Sequence, residues 1–461
     1  MKRLKLFVLL AALGGGQLAA SAQTTNGNAP GWISEPLSLT GALNIALRQN
    51  AAILKAGNDL EASHGLVIQT RAVVMPQLQA TGQYKDTDPN SIETEVINNN
   101  ITVPTSPSQN WNTGIQLVQN IYEGGLLTAA IKASRATKQQ ALDQYETVVD
   151  DTLLSVQTAY YDVLLAAQQI TVNEASVKLL QRELEDQQHR MGAGTVPRFN
   201  VLRAEVAVAN ERPALIQAKN NYRNGKNTLS NLLGYNLPRE IWENIPLNLT
   251  DTLTAEPYSV NLPDAIQKAL GQRSELRALR KTVELQELNI VDAKAGYKPT
   301  VSLFAGYGWH NAQVTPPIDL DHDIDGWNAG GQVTWNIFDG ALTYGKVIQA
   351  KALYEKAKTD LDDQGRQIEL QVRTAYSDFV EAKETLDSQE KVQEEAEESL
   401  REARARAEAG TGTQLDVLDA ETSLTQSRTT QIQALHDFST ARARLERAIG
   451  NPPVITVVPK Q

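Results

Sequence analysis

"WNTGIQLVQNIYEGG" occupies residues 111–125 and "WNAGGQVTWNIFDGA" occupies residues 327–341. The two phrases share a Trp-Asn start, a central Gly and Gln, and a close of Asn, Ile, an aromatic, an acid and Gly. At the same spacing, "TAYYD" from Thr158 falls on "TAYSD" from Thr374, and "GTVPRFNVLRAE" from Gly194 falls on "GTGTQLDVLDAE" from Gly410. The match runs on until Leu233-Gly234 meets Ile449-Gly450. Upstream, across a loop that is shorter in the second copy, "LTGALNIALRQN" from Leu39 pairs with "LPDAIQKALGQR" from Leu262, and Pro76 and Tyr84 pair with Pro299 and Tyr307. A register held over so much chain is a tandem duplication. The implied organisation is a leader (1–22), a first copy (23–235), a joining segment (236–261), a second copy (262–450) and a tail (451–461).

Each copy reads as a helix, a strand, a loop, a second strand, a very long helix, a tight turn and a last helix. The expected ranges are 38–74, 77–85, 111–122, 126–191 and 197–233 in the first copy. In the second they are 263–297, 300–309, 327–338, 342–409 and 413–449. The long helices contain no Pro and would reach on the order of 100 Å, about the length of the two shorter helices of a copy laid end to end. Each long helix is therefore expected to lie beside a stacked pair. In the second copy Ala375, Ala382, Ala396 and Ala403 recur by sevens among Phe379, Leu386, Leu400 and Ala407, a seam that lets helices approach closely. Gln389 and Gln393 interrupt it. A plain two-stranded coiled coil would explain the seam but not the strands.

The strands alternate. In 77–85, Leu78, Ala80, Gly82 and Tyr84 share one face, while Gln77, Gln79, Thr81, Gln83 and Lys85 share the other. The apolar set continues with Trp111, Ile115, Leu117 and Ile121, with Val301, Leu303, Ala305, Tyr307 and Trp309, and with Trp327, Val333, Trp335 and Ile337. Strands greasy on one face, wet on the other and aromatic near their ends suit a barrel with lipid outside and water inside. A soluble sandwich would need a second sheet to cover the apolar face, and the rest of the chain offers helices. Four strands cannot close a barrel, and open edges are not tolerated in hydrocarbon. Two copies of the chain would supply eight strands and three would supply twelve.

Composition narrows the remaining possibilities. The 461 residues carry a formal charge of −11, which argues against a nucleic-acid partner. The start combines Lys2, Arg3 and Lys5, an apolar run from Leu6 to Leu13, and Ala20-Ser21-Ala22, the order of a cleavable secretory leader. The chain has no Cys, hence no disulfide, no thiolate and no lipid-anchor Cys after the leader. No later run is apolar enough for a spanning helix. His64, His189, His310, His322 and His436 lack metal-ligand spacing, and neither a phosphate loop nor a nucleophile elbow is present, so no catalytic residue, cofactor or metal is expected. "DLDHDID" (319–325) could catch a cation and is expected in a solvated loop between the last two strands.

The leader, the tandem copies, Pro76 and Pro299 before each first strand, "NIYEGG" and "NIFDGA" after each second strand, and the paired "GT" turns together resemble the TolC-type outer membrane factor family. The resemblance covers essentially the whole chain after the leader. It implies an α+β membrane protein whose long α-helical hairpins form a periplasmic α-barrel tunnel. It also implies a homotrimer whose chains each give four strands to a 12-stranded outer-membrane β-barrel. Its lipid-facing residues would include Leu78, Tyr84, Trp111, Leu117, Leu303, Tyr307, Trp327 and Trp335. The implied role is the outer-membrane exit duct of a tripartite efflux pump or type I secretion system. The implied partners are a periplasmic adaptor, an inner-membrane pump or ABC transporter, and outer-membrane lipid.

The resemblance also places the "GT" phrases at the far end of the tunnel. Gly192, Gly194, Gly410 and Gly412 suit tight helix-helix turns, and Pro197 suits the first turn of the following helix. The tips Gly194, Thr195, Val196, Gly410, Thr411 and Gly412 are then adaptor-docking candidates. Asp416 and Asp419 are three apart and share a helix face; the family's "DVLD" motif implies an acidic channel constriction there. The bland account is an acidic pair favoured by the helix dipole. The family pattern also implies a Tyr and an Arg flanking this turn, where this chain has Ala407 and Gly412, so Arg404, Arg406 or Arg198 would have to substitute. Two other classes remain open: a non-transporting envelope scaffold or adhesin, and a periplasmic hydrolase resting on the acidic pair alone.

Overall fold

The computed structural model describes residues 36–97, 101–104, 106, 109–235, 245–314 and 320–451. The expected leader, part of the joining segment and the tail beyond Asn451 lie outside them. The helices are α1 (Leu39–Gln49), α2 (Ala51–Ala72), α3 (Leu126–Gly192), α4 (Arg198–Leu232), α5 (Leu262–Gln272), α6 (Ser274–Ala295), α7 (Leu342–Glu408) and α8 (Gln414–Ile449). The two long helices, α3 and α7, are each 67 residues without a break, as their Pro-free sequences permit.

The single helices expected over 38–74 and 263–297 are each split in two. The break falls on one extended residue, Asn50 (φ −61, ψ 129) or Arg273 (φ −59, ψ 129). Asn50 Oδ1 accepts from the amides of Ala52 (2.7 Å) and Ile53 (3.3 Å), which caps α2. Its Nδ2 donates to the carbonyl of Leu232 at 2.6 Å, where α4 ends. An Asn cap is worth about 1 kcal/mol, and here it also fixes α4 against the junction so that α2 carries on along α3. In the second copy the buried Arg273 bridges Glu275 (2.6 Å) and Gln371 (2.7 Å). Gly450 closes α8 against it.

α3 packs on α2 and α4 of its own copy and on α6 and α8 of the other, while α7 packs on α5, α6 and α8. Two equivalent cores result. Val156, Tyr160, Val163, Leu229 and Leu233 centre the first; Val372, Phe379, Phe438, Leu445 and Ile449 centre the second. Along the Ala seam, Phe379, Ala382 and Leu400 are buried.

The strands are β1 (Pro36–Leu37), β2 (Gln77–Asp86), the short hairpin β3 (Thr94–Ile97) and β4 (Ile101–Pro104), β5 (Gln109–Glu123), β6 (Asn248–Leu249), β7 (Thr300–Val314) and β8 (Leu320–Thr334). β1 pairs in parallel with β6 and so ties the start of the first copy to the joining segment. β2, β5, β7 and β8 form one antiparallel sheet in that order. Directly opposite residues lie on the same face, so the register sorts the sheet. One row runs Leu78, Leu117, Ala305, Ala329, and the next runs Ala80, Ile115, Tyr307, Trp327. Tyr84 and Trp111 are opposite on this face, and Leu303 joins it beside Gly331. The other face carries Gln79, Gln116, Gly306 and Asn328, then Thr81, Gly114, Gly308 and Gly326.

The last two strands depart from expectation. Their pairing runs unbroken from Thr300 opposite Thr334 to Val314 opposite Leu320. Most of the acidic 319–325 segment is therefore paired strand and not a loop. Trp335 lies one residue past the end of β8, where its indole N–H donates to the carbonyl of Tyr297 at 3.1 Å.

Candidate functional site

The two hairpin turnarounds share one backbone design. α3 gives way to Gly194 (φ 74) and α7 to Gly410 (φ 74), the left-handed step that ends a helix. The next amide then reaches back: Thr195 N–H donates to the carbonyl of Arg190 and Thr411 N–H to that of Arg406, both at 2.9 Å. The Thr hydroxyls donate to the same carbonyls. Gly192 and Gly412 are not left-handed, and Pro197 is the N-cap of α4 rather than its first helical residue. Gly412 is needed for another reason. A Cβ there would sit 3.0 Å from Arg406 Cβ and 3.1 Å from the Ala407 amide nitrogen. The Arg that the family pattern implies at this position would have to displace the turn. Thr195 and Thr411 are exposed, and Val196 is half-buried.

Asp416 and Asp419 are both exposed, whereas Val417, Leu418 and Ala420 between and beside them are buried. They differ in engagement. Asp416 closes a capping box with Thr413: its Oδ2 accepts from the Thr413 amide and hydroxyl, both at 2.8 Å, and its own amide donates to the Thr413 hydroxyl. The Thr413 amide and then its hydroxyl hold the Asp416 carboxyl below its ordinary range. The helix-terminus account therefore applies to Asp416. The Ser423 hydroxyl donates to the Asp419 main-chain carbonyl at 2.8 Å, but no hydrogen bond reaches the Asp419 carboxylate among the described residues, so that group is left to act on its surroundings. In the first copy Asn200 and Arg203 stand at the corresponding places.

Of the candidate substitutes for the missing Arg, Arg404 joins α7 to α8 through Glu421 at 2.9 Å. Arg406 instead pairs with Glu402 within α7. Sequence reasoning did not single out Glu421, which is only 2% exposed. Burial pushes its carboxyl up and Arg404 pulls it back. Its counterpart Glu205 is exposed. The repeat made the two Glu residues look alike, and only the neighbouring helix distinguishes them: α8 lies against both α7 and α3, so Leu418 packs on Leu180 and Val208. The corresponding face of α4 carries the exposed Phe199, Leu202 and Val206.

Comparison with known proteins agrees with this geometry. The outer membrane efflux protein family model matches residues 42–235 and 265–451. The outer membrane protein TolC of Escherichia coli (strain K12) is 23% identical over 430 residues, covering 91% of this chain and 83% of that protein. The alkaline protease secretion protein AprF of Pseudomonas aeruginosa is 25% identical over 304 residues, 66% of this chain and 62% of that protein. The crystal structure of the Campylobacter jejuni CmeC outer membrane channel superposes with a TM-score of 0.76 at 15% identity, over 91% of this chain and 86% of that one. Two matched copies, a shared helix-and-strand fold, and a relative aligned over 91% of this chain converge on one conclusion: the chain belongs to the outer membrane efflux protein family.

Proposed function

We propose that three copies of this chain close a twelve-stranded barrel in the outer membrane above a helical periplasmic tunnel, forming a passive exit duct for efflux or secretion. The carrying observation is the four-stranded sheet, apolar on one face and polar on the other, whose β2 and β8 edges have no partner among the described residues. Such edges cannot lie in hydrocarbon unpaired, so β8 of one copy pairs with β2 of the next. Eight strands would leave an interior filled by side chains, whereas twelve leave a channel. The helices support the same assembly: by the repeat relation, the bare face at Phe199, Leu202 and Val206 is covered by α7 of a second copy, as α3 covers α8 within one chain.

In this duct Leu78, Leu117, Leu303, Tyr307 and Trp327 face lipid. Asp419, with Asp416 beside it, rings the mouth as a constriction attractive to cations. The turns around Thr195 and Thr411 meet a periplasmic adaptor, and an inner-membrane pump supplies the energy. One relative is named for protease secretion, so both small molecules and proteins fall within the cargo range. Planar-bilayer recording of the purified protein, with its mass in detergent, tests the reading. Trimers that conduct are expected. A water-soluble monomer without conductance would overturn it in favour of a scaffold.

A further inference from the structure

Among the residues whose side chains are described, His436 is the only buried histidine, 8% exposed in the second half of α8, and the duct reading does not use it. Its ring turns both nitrogens on carboxylates. Nε2 lies 2.8 Å from Asp162 Oδ1 on α3, and Nδ1 lies 2.9 Å from Asp437 Oδ1 on α8 itself. An ionised carboxylate only accepts, whereas a neutral imidazole has one N–H and one bare nitrogen. The neutral ring can therefore serve one of the two carboxylates and must set a lone pair against the other. The imidazolium serves both. Burial alone would push the His436 imidazole down, but the hydrogen bonds it donates to Asp162 and Asp437 outweigh burial and hold it above its ordinary range.

The other neighbours leave this arrangement undisturbed. The Thr440 hydroxyl lies 3.5 Å from Nε2. α5 and α7 pack on α8 through apolar side chains, Ala269, Phe379 and Ala382 beside Phe438 and Ala441. The ion pairs of α7 with α8, Glu397 with Arg428 and Arg404 with Glu421, lie nearer the tips. Arg442, on the other side, is held by Glu446 and Glu256. Among the described residues α3 and α8 share three polar links: Arg447 with Asp151 at 2.7 Å, His436 with Asp162, and the hydroxyls of Thr425 and Ser176 at 3.1 Å. Histidine is the side chain whose ordinary titration falls near neutral pH, so the His436 link is the one that a modest change of pH can switch. The repeat does not carry it over. Asp162 recurs as Asp378 in "TAYSD", but Asn220 and Asn221 stand where His436 and Asp437 stand in the second copy.

We propose that protonated His436 clasps α8 of the second copy to α3 of the first, and that loss of its proton frees the tipward part of α8 from α3. The clasp joins two helices of one chain, so it acts whether or not three chains close a duct. Within a duct it confines pH control to the α3–α8 contact, because Asn220, at the related position of α4, does not titrate. The folded value stands above the unfolded value of about 6.5, so the clasp is complete below about pH 6.5 and is lost as pH rises through the folded value. Hydrogen exchange of the full-length protein in detergent, read by mass spectrometry over residues 418–432, tests this at about pH 6 and about pH 9, on either side of that transition. Each variant is compared with the parent at the same pH, which cancels the intrinsic exchange rates. At the lower pH, His436→Gln and Asp162→Asn should each exchange roughly three- to tenfold faster, the loss of one charged hydrogen bond discounted for a half-exposed carboxylate. At the higher pH both should match the parent. No effect at the lower pH, or the same effect at both, would overturn the proposal. Nitrogen NMR of isotope-labelled histidine in lipid vesicles reads the ring itself, with His64, His189, His310 and His322 replaced by Gln so that only His436 reports; a clasp variant that fails to fold therefore leaves the test standing. Two N–H groups are expected at the lower pH and one at the higher. A ring already neutral at the lower pH, or still charged at the higher, would equally overturn it.

Discussion

Leu303 and Ser302 are adjacent on β7 and point to opposite faces of the sheet. Leu303 is opposite Gly331, midway along the stretch from Trp327 to Trp335. That stretch is roughly 27 Å of extended chain, or roughly 20 Å of height at a barrel tilt of ~40° and an apolar band of ~25 Å. Leu303 therefore sits near the middle of the bilayer. Leu303→Arg places a guanidinium in hydrocarbon at a cost of about 2–4 kcal/mol per chain, or roughly 6–12 kcal/mol for a trimer. Ser302→Arg, at the same depth among Asn120 and Gln332, enters the wet interior and should cost close to nothing. Urea titration of the protein in lipid vesicles, read by Trp fluorescence and by the trimer band on unheated gels, would compare them. Leu303→Arg should lower the midpoint sharply or prevent assembly, with Ser302→Arg near the parent. If the two variants fall together, or if Ser302→Arg is the worse, the assignment of faces is wrong.

Three further outcomes are expected. Asp419→Asn should weaken block of the channel by divalent cations without moving the thermal midpoint, whereas Asp416→Asn should disturb both, because only Asp416 holds the α8 cap; bilayer recordings and a melt of each variant separate the roles. Gly412→Arg, which restores the residue the family pattern implies, should not tighten the mouth: its Cβ would press on Arg406 and Ala407, so resting conductance should rise, and a fall would contradict the turn geometry. Burial pushes the Asp150 carboxyl up to about 6, with Arg447 only partly opposing it. The folded value thus exceeds the unfolded value of about 3.9, and ionised Asp150 costs stability at neutral pH, a cost relieved as pH falls through about 6 towards 4. Asp150→Asn should therefore melt higher than the parent near neutrality and lose that advantage near pH 4.

Much of the fold was legible because its signals are periodic. Two long Pro-free runs are compatible with α3 and α7, and strict alternation in "QLQATGQYK" puts Leu78 and Tyr84 on one face. What could not be read depends on contacts made at a distance. Asn50 breaks a helical pattern because the end of α4 lands on it, and nothing local distinguishes it from any other helix Asn. β8 reaches back to Leu320 because β7 pairs with it, although Asp, His and Asp are poor strand formers. At the tips, the left-handed Gly194 and Gly410 follow from the repeated "GT" phrase, but the burial of Glu421 does not. "VLRAE" and "VLDAE" are nearly the same text, and only α3 beside α8 converts one Glu into an interior group. The capping box around Asp416 was foreshadowed by Thr413 standing three residues ahead of it.

The duplicated tips also set the symmetry that an approaching partner encounters. Both turns end on the same left-handed glycine and the same threonine, so the proposed trimer would present six tips that share this step and then diverge, with Val196 in one where Gly412 stands in the other. The chemistry around them alternates, with Asn200 and Arg203 on one tip and Asp416 and Asp419 on the next. A partner that grips the shared step meets a sixfold ring, and one that reads charge meets a threefold ring with opposite signs in turn.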